Sequence, residues 1–317
     1  MIGYILKRLL HTGPVMLFVT AFVFALVWAF PGDPARAFAG QGEVLDEEQL
    51  ALIRKEHNFD KPIPVQYVLW LKKTVSGDLG RSTQTSRRVS QELVDRAQVT
   101  AGLGIASILL AIAIALPTGV AAAIYRGKPL DYVASTLSLG AVAVPGFWLG
   151  IMLILLFGVQ LGWLPVQGYV AFASSPWDWL RHLVLPATAM GIASSALVMR
   201  QTRSAMLEVA AQDYVRTARA KGMSSTVIVW VHMLRNAMLP VITVLGMQMG
   251  HIFAGSVVIE TLFGIPGMGR LLVQGIFERD FPIVQASILL IAVAVLLINL
   301  LTDLACAWLD PRVKYGH

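Results

Sequence analysis

Charged residues divide the chain into long apolar runs and shorter polar segments. No Asp, Glu, Lys or Arg occurs between Arg8 and Asp33, and similar gaps recur along the rest of the sequence. Such runs reach the roughly 20 apolar residues that an α-helix needs to cross a bilayer. The pattern predicts six transmembrane helices, near 9–30, 98–124, 133–160, 183–205, 237–260 and 283–308.

The composition is that of a membrane protein. Hydrophobic residues make up 56% of the 317 positions and charged residues only 14%, with a mean hydropathy of +0.67. Soluble proteins carry about 25% charged residues, so we expect an all-α polytopic membrane protein. The isoelectric point of about 9.6 then reflects basic cytoplasmic loops rather than a nucleic-acid partner. Cys306, the single cysteine, cannot form an internal disulfide and is expected to be an inert packing residue.

Lys and Arg residues in the short loops predict the orientation. If the N-terminus is inside, the inner segments hold twelve of these cations and the short outer loops only three, Arg181, Arg270 and Arg279. Because cytoplasmic loops are enriched in Lys and Arg, both termini are expected in the cytoplasm. The first apolar run is about 22 residues long and exceeds the roughly 7–15 of a signal-peptide core. We therefore expect residues 1–30 to be a retained first helix, although residues 35–37 resemble a cleavage site.

The segment 31–97 lies outside by parity and is expected to be a small extracytoplasmic subdomain. It carries ten Lys or Arg and ten Asp or Glu residues. Residues 46–57 and 64–75 are predicted to be helical, with Asp46 as the cap of the first helix. Gly77–Gly80 is predicted to turn the chain. A spacer and a platform for an external partner remain equally open as its role.

Residues 200–240 form the most basic segment between two apolar runs. This segment holds six of the 25 Lys and Arg residues, and residues 217–221 favour a helix. Gly222 is predicted to provide a bend or a left-handed helix end, and Ser224 and Ser225 to cap the next helix. The apolar stripe expected on that next helix is Val227, Ile228, Val231 and Leu234. A short helix with basic flanks is suited to a groove on a soluble partner. The alternative is that these cations only follow the enrichment of Lys and Arg in cytoplasmic loops, which explains the charge of the segment but not its length or its helix–Gly–helix pattern.

Sequence motifs for catalysis or nucleotide binding are missing from this chain. No GxxxxGK[ST] phosphate loop, CxxC, HExxH or GxSxG occurs, and the six histidines are scattered. Among ionisable residues, His251 lies well inside a predicted span, while Glu260 and Asp303 lie near helix ends. An ion-coupled transporter is expected to bury coupling acids or histidines in its spans. The chain is therefore predicted to be non-catalytic, with transport driven by a separate ATPase that contacts 200–240.

The fifth predicted helix carries the candidate residues of a translocation path. Polar side chains inside membrane helices usually face the bundle interior, and Gln248 and His251 are three residues apart on one face. The predicted path-lining residues are Thr243, Gln248, His251 and Ser256. Gly246 and Gly250 form GxxxG, but this motif is frequent by chance in membrane helices and we assign it no packing role.

The basic segment also carries a family resemblance. Asp213–Gly222, DYVRTARAKG, followed by Leu234–Ala237 and Pro240, resembles the coupling loop of ABC importer permeases, specifically the B-type permease of dipeptide and oligopeptide importers. The Glu-Ala-Ala that opens the general importer motif is replaced here by Arg216, Thr217 and Ala218, as is typical of the peptide branch. Further segments that match the family in order are Pro31–Pro34, Gly77–Gly80, Pro266–Arg270, Arg279–Gln285 and Asp310–Arg312.

This resemblance implies a type I importer permease fold in a bacterial inner membrane. A permease core at 98–309 would contain a cytoplasmic coupling loop at 206–236, and 310–317 would be a cytoplasmic tail. The implied partners are a homologous second permease, two ATP-binding cassette subunits that hold ATP and Mg, an extracytoplasmic substrate-binding protein and membrane lipid. This chain itself would bind no cofactor. The residues assigned to coupling are Asp213, Tyr214, Arg216, Thr217, Ala218, Arg219, Ala220, Lys221, Gly222, Arg235 and Asn236.

The implied activity is import of dipeptides or oligopeptides by alternating access. Similar permeases import glutathione or nickel complexes, and both cargoes remain open, although the sequence has no metal-ligand cluster that would favour nickel. A secondary transporter or channel is a less favoured alternative because no coupling acid or selectivity ring is evident. A membrane scaffold would not need a loop for an ATPase.

Overall fold

A computed structural model describes residues 2–29, 33, 35 and 46–309 of the chain. The predicted turn at 31–34, the resemblance to a cleavage site at 35–37 and the tail at 310–317 lie wholly or partly outside the described residues. The described part is helical, apart from turns, loops and an isolated bridge between Arg81 and Arg88. Its helices are α1 (Ile2–Ala29), α2 (Glu47–Glu56), α3 (Ile63–Val75), α4 (Val89–Ile124), α5 (Pro129–Ala143), α6 (Gly146–Leu153), α7 (Pro176–Ala210), α8 (Asp213–Ala220), α9 (Ser225–Leu262), α10 (Met268–Glu278) and α11 (Phe281–Leu309).

Apolar helices long enough to cross a bilayer account for about half of the described residues. Among the described residues, α4, α7, α9 and α11 meet the length and hydropathy of a membrane span, and α1 contains a shorter apolar stretch, Thr12–Trp28. The helices α5 and α6, with the π-helical turn Ile154–Gln160 after α6, form one further apolar pair. The prediction of an all-α polytopic membrane protein is confirmed. Six spans and cytoplasmic termini stay predictions.

The third predicted span is not the single helix expected over 133–160. Its two halves, Pro129–Ala143 and Gly146–Gln160, are bent by 100° at a short break. Val144 has φ −83° and ψ 123°, which is extended backbone. Pro145 causes this break, because proline disfavours helical geometry at the preceding residue and cannot donate a backbone hydrogen bond. Periodicity alone hid the break, since both halves are apolar.

The chain divides into two compact units. The first comprises 1–101 and 266–296, and the second comprises 102–265 and 297–317. In the second unit, α7 packs against α5, α6 and α9. Gly246 of α9 lies where a Cβ atom would collide with Thr302. The interpretation of the GxxxG pattern as chance was therefore wrong for Gly246, which permits a close approach of the two helices.

In the first unit, the predicted local signals of the 46–97 region are confirmed. Asp46 is the N-cap of α2, and its backbone N–H donates to Gln49 Oε1 at 3.1 Å. Gly77 and Gly80 take φ of +83° and +81°, a backbone conformation that favours residues without a Cβ atom. The two glycines of the Gly-Asp-Leu-Gly pattern therefore suit the left-handed backbone with which the chain turns after α3.

The Arg279–Gln285 motif begins the last helix of the same unit. Asp280 is 2% exposed, precedes α11 directly, and accepts a hydrogen bond from the Ile283 N–H at 3.3 Å. The Ser82 hydroxyl donates to the other carboxylate oxygen of Asp280. This side chain therefore caps α11 and fixes it to the segment after Gly80.

Candidate coupling surface and membrane cleft

The coupling helix α8 is short and two-sided. Val215 and Ala218, three residues apart, are 0% and 7% exposed, and the other residues of Asp213–Ala220 are exposed. Residues three or four apart share one face of an α-helix. One narrow face of α8 is therefore anchored, while the rest of its surface is available to a partner.

The anchor of α8 is a buried apolar cluster in the second unit. It brings together residues from four helices: Val120 and Ala123 from α4, Ala205 and Met206 from α7, Val215 and Ala218 from α8, and Ile228, Met233 and Ala237 from α9. Interiors packed in this way have little free volume and transmit displacement. A force applied to α8 must therefore act on α4, α7 and α9 together.

The end of α8 confirms the predicted role of Gly222. This residue has φ +74°, and its N–H donates to Arg219 O at 3.0 Å. The Met223 N–H donates to Ala218 O at 3.3 Å. These two bonds form a Schellman motif, whose left-handed position favours glycine. Among the described residues, no atom outside the immediate neighbours lies within 4 Å of a Cβ built on Gly222, so the constraint that they place on this position comes from the backbone.

The helix after Gly222 differs from the prediction. Ser224 holds the N-cap position but makes no side-chain capping hydrogen bond. Residues Ile228–Met233 are π-helical, with wider turns than an α-helix. The buried residues are therefore Ile228, Met233 and Ala237, whereas Val227 and Val231 are exposed. Of the expected stripe, Ile228 lies in the buried cluster and Leu234 packs against it. The prediction was wrong for Val227 and Val231, because it assumed a regular α-helix.

Hydrogen bonds link α8 to the start of α9. The Asn236 Nδ2 atom donates to the Tyr214 hydroxyl at 3.0 Å and to His232 O at 2.8 Å. The Tyr214 hydroxyl donates to the same His232 carbonyl at 3.5 Å. The structure therefore brings together two predicted coupling residues, Tyr214 and Asn236, that are 22 positions apart. We call these three residues the Tyr214 clasp.

The remaining predicted coupling residues are exposed. Arg216 Nη1 lies 3.5 Å from Asp213 Oδ1, and the two side chains are 74% and 96% exposed. The Thr217 hydroxyl donates to Asp213 O at 3.0 Å. The other outward residues are Arg219, Ala220, Lys221, Gly222 and Arg235. Together they give α8 and its flanks a basic surface.

Arg203, from the same basic segment, has a different role that the sequence did not reveal. Its Nε and Nη2 atoms donate to the two carboxylate oxygens of Asp131 at 2.6 and 2.9 Å. The Asp131 side chain is 5% exposed and also accepts from the Gly127 N–H at 3.0 Å. A paired, two-point contact of this kind has defined geometry. Asp131 in the first turn of α5 was the available signal, but nothing in the sequence identifies its partner 72 positions away.

A cleft in the second unit contains two of the four predicted path residues. Its volume is about 300 Å³, and its lining comes from α6, α7 and α9: Gly146, Phe147, Ala189, Met190, Ala193, Ser194, Gln248, His251, Ile252, Gly255, Val258 and Ile259. Gln248 is 8% exposed and His251 is exposed, so the cleft has an amide and an imidazole on an otherwise mostly apolar wall. Such a site resembles ligand pockets, in which a few polar groups orient the ligand.

Thr243 and Ser256 lie outside this cleft. The Thr243 hydroxyl donates to Leu239 O at 3.2 Å and lies 3.4 Å from Cys306 Sγ. Ser256 is 1% exposed and donates to Phe253 O at 3.4 Å. Both hydroxyls therefore make local helix contacts, which are frequent for Ser and Thr in membrane helices.

Comparison with known proteins agrees with this architecture. Residues 115–315 match the family model of the binding-protein-dependent transport system inner membrane component, and residues 1–104 match the N-terminal model of that membrane component. The glutathione transport system permease protein GsiC of Salmonella choleraesuis (strain SC-B67) is 40% identical over 315 residues, which are 99% of this chain and 100% of that protein. A putative peptide transport system permease protein of Brucella abortus (strain 2308) is 43% identical over 315 residues, again 99% of this chain and 100% of that protein.

Solved structures show the same fold. The MetNI methionine ABC transporter, in inward-facing conformations, matches with a TM-score of 0.58 at 19% identity, covering 69% of this chain and 96% of that chain. The predicted ABC importer permease fold is thereby confirmed. This multi-pass chain belongs to the family of binding-protein-dependent transport system inner membrane components.

Proposed function

We propose that this chain is one permease subunit of an ABC importer that carries dipeptides, oligopeptides or glutathione into the cytoplasm. The observation that carries the proposal is α8, whose two buried residues anchor a basic, outward-facing helix on the bundle of a family member. A helix held by one face and exposed on the others is suited to a groove on a separate subunit. The partner there would be an ATP-binding cassette subunit, which would also hold the ATP and Mg.

The connection between α8 and the cleft follows from two shared helices. The helix α7 contributes Ala205 and Met206 to the cluster around α8 and Ala189–Ser194 to the cleft. The helix α9 likewise contributes Ile228 and Ala237 to the cluster and its second half to the cleft. At about 1.5 Å per residue, the twelve residues from Met206 to Ser194 span about 18 Å. Movement of α8 would thus reach the cleft through two continuous helices, as alternating access requires.

The remaining partners follow from family membership. A second, homologous permease subunit would complete the path, and two ATP-binding cassette subunits would bind on the cytoplasmic side. An extracytoplasmic binding protein would deliver the cargo, and the region 31–97 would contact it. On this proposal both termini and the coupling loop 206–236 are cytoplasmic, and this chain catalyses no reaction itself.

The chemistry of the cleft is consistent with the proposed cargo. The Gln248 amide and the His251 imidazole can donate and accept hydrogen bonds with peptide groups. The names of the relatives, which include glutathione and peptide transport permeases, support the same class. A nickel complex is the second candidate cargo, and it is supported only by the resemblance to permeases that import nickel complexes.

Co-purification and reconstitution test the proposal. The full chain, purified from its native membrane, should carry a second permease and two ATPase subunits. In liposomes with the binding protein, this complex should accumulate labelled dipeptide, oligopeptide or glutathione only with ATP inside. Purified chain without ATPase subunits, or uptake that continues without ATP and follows an ion gradient, would overturn the ABC assignment. Bound cargo identified by mass spectrometry on the binding protein would decide among the substrates.

A further inference from the structure

The first unit contains an aromatic cavity that the transport cycle described above does not use. Its volume is about 150 Å³, similar to an engineered apolar cavity of ~150 Å³ that admits benzene. Most of its wall is apolar, with the rings of Phe24, Trp28, Phe59 and Trp70 beside Pro282 and Leu289. We call it the aromatic cavity. An apolar occupant of slender shape fits such a wall better than a peptide backbone, which would need several polar partners.

The aromatic cavity lies where membrane helices end. Its wall includes the last turns of α1 and the first turns of α11, both of which are apolar helices. On α1, the preceding residues Leu17, Phe18 and Phe22 are 59%, 73% and 56% exposed, as expected for a face in contact with lipid. Trp and Tyr concentrate at the level of the lipid headgroups. Trp28, Tyr67 and Trp70 near the cavity therefore indicate that it lies at the boundary between hydrocarbon and water.

Contacts between rings hold this wall in place. Phe24 lies 5.5 Å from Tyr67 and 5.7 Å from Trp70, measured between ring centroids. The Tyr67 hydroxyl and the Thr20 hydroxyl are 2.9 Å apart. The cavity is thus a formed feature of α1 and α3, rather than a gap between loosely placed side chains.

The polar lining of the aromatic cavity is basic. Lys73 and Arg81 line it, and Arg81 Nη1 donates to Ser86 O at 3.1 Å. The carboxylate of Asp78 also lines it, with Oδ1 accepting from the Gly80 N–H at 3.1 Å. Burial lowers the pKa of the His57 imidazole below its ordinary value, so this ring is neutral at pH 7. Two cations against one carboxylate leave a net positive site.

A buried amide adds one further hydrogen-bond requirement. Gln66 is 4% exposed and lines the cavity, and its Nε2 atom donates to Lys61 O at 2.7 Å and to Phe59 O at 3.3 Å. These two carbonyl acceptors fix the orientation of the amide. Within the described part of the chain, Gln66 Oε1 is buried and has no hydrogen-bond donor. A ligand that carries hydroxyl donors beside an anionic group would satisfy both features.

We propose that the aromatic cavity binds an anionic phospholipid of the phosphatidylglycerol type, with a segment of one acyl chain among the rings and its phosphate at Lys73 and Arg81. The lipid would fix α1 and the α2–α3 region to the start of α11 within the first unit. This site is independent of the proposed cargo and of the ATPase subunits. It makes the outer part of the first unit sensitive to the lipids that surround it.

The test compares two charge-matched double variants of the full chain in its complex. Lys73→Gln/Arg81→Gln removes the two cations that line the cavity, and Lys72→Gln/Arg87→Gln removes two exposed neighbours that do not line it. Native mass spectrometry would count bound phosphatidylglycerol and phosphatidylcholine in mixed nanodiscs. The wild type and the control variant should prefer phosphatidylglycerol by about tenfold or more, since each cation near a membrane surface contributes about a fivefold factor and two cations together about thirtyfold. The Lys73→Gln/Arg81→Gln variant should lose most of this preference.

Three outcomes would overturn the proposal. An equal loss in both variants would indicate general surface charge rather than a site, and no preference in the wild type would exclude the ligand. Displacement of the lipid by glycerol 1-phosphate as effectively as by dihexanoyl phosphatidylglycerol would mean that the acyl chain is not bound. Unchanged elution of each variant in size-exclusion chromatography checks that both remain folded.

Discussion

Arg203 and Arg216 lie thirteen positions apart in one basic segment, yet the structure uses them in opposite ways. Arg203 contacts both carboxylate oxygens of a buried aspartate, at 2.6 and 2.9 Å, and joins α7 to α5. Arg216 is 74% exposed, and its 3.5 Å contact with Asp213 stays within α8. The number of cations in a loop indicates which side of the membrane the loop occupies. It does not distinguish a cation that joins two helices, such as Arg203, from an exposed cation such as Arg216.

The largest effect is expected from breaking the inner ion pair. Arg203→Met leaves the Asp131 carboxylate buried without its guanidinium, and removing one partner of such a pair costs more than removing both. We expect a strong fall in folded protein and in the thermal midpoint. The measurement is the unfolding midpoint and yield of the purified complex. Asp131→Asn/Arg203→Met should recover part of the loss, and a double variant worse than the single variant would contradict the role assigned to the pair.

The next effect should separate coupling from folding. Gly222→Val places a β-branched side chain at φ +74°, where an L-residue costs about 1–2 kcal/mol. Because the added side chain meets no other atom of the described residues, we expect normal membrane insertion but ATP hydrolysis no longer matched to uptake. The measurement is the number of ATP molecules hydrolysed per cargo molecule in liposomes. Gly222→Asn is the control, since Asn tolerates left-handed backbone; wild-type coupling in Gly222→Val would refute the assignment of the coupling helix.

A smaller effect is expected from the Tyr214 clasp. Tyr214→Phe removes the hydroxyl that contacts Asn236 and His232 O, at an exposed position where hydrogen bonds contribute about 0.5–1.5 kcal/mol. We expect a decrease in uptake of a few fold, with the affinity of the binding protein for cargo unchanged. Initial uptake rates at saturating binding protein measure it. Tyr132→Phe, on an exposed tyrosine of α5, should have no effect, and equal losses in both variants would argue against the clasp.

The smallest effect on stability should come from the outer ion pair. Arg216→Met should change the free energy of unfolding by no more than about 0.5 kcal/mol, because exposed ion pairs contribute little. If α8 docks through its basic face, the same variant should still weaken retention of the ATPase subunits. The unfolding midpoint and subunit stoichiometry, measured on one preparation, sharpen the contrast with Arg203. A large drop in the midpoint would mean that Arg216 also supports the bundle.

Local features of the sequence predicted local structure well. The Asp46 cap, the turn from Gly77 to Gly80 and the left-handed Gly222 each follow from residue chemistry within one turn. The two cleft residues, Gln248 and His251, were predicted from the same kind of local signal, since they are polar and share one helix face. Thr243 and Ser256 are equally polar, but their short hydroxyls are satisfied by their own helix.

Features that depend on contacts across the fold could not be predicted. Asp131 and Arg203 are separated by 72 positions, and the need for glycine at position 246 is evident only from its close contact with Thr302. The break at Pro145 was hidden by the uniform hydropathy of its flanks. In the π-helical turn, burial depends on the packing of α9 against its neighbours, so the α-helical period was correct for Ile228 and Leu234 but wrong for Val227 and Val231.

The π-helical turn Ile228–Met233 also determines how the side chains at one end of α9 are rotated, about the helix axis, relative to those at the other end. Each residue of an α-helix advances the side-chain direction by about 100°, and a π-helical turn accommodates an extra residue within the helix. Ile228 at one end contacts the cluster around α8, while Gln248 and His251 at the other end line the cleft. Deleting one residue from this turn would leave the other residues of α9 unchanged. It would nevertheless rotate the part of α9 that follows by about 100°, so Gln248 and His251 would face a different direction. The wide turn therefore determines which side of α9 lines the cleft.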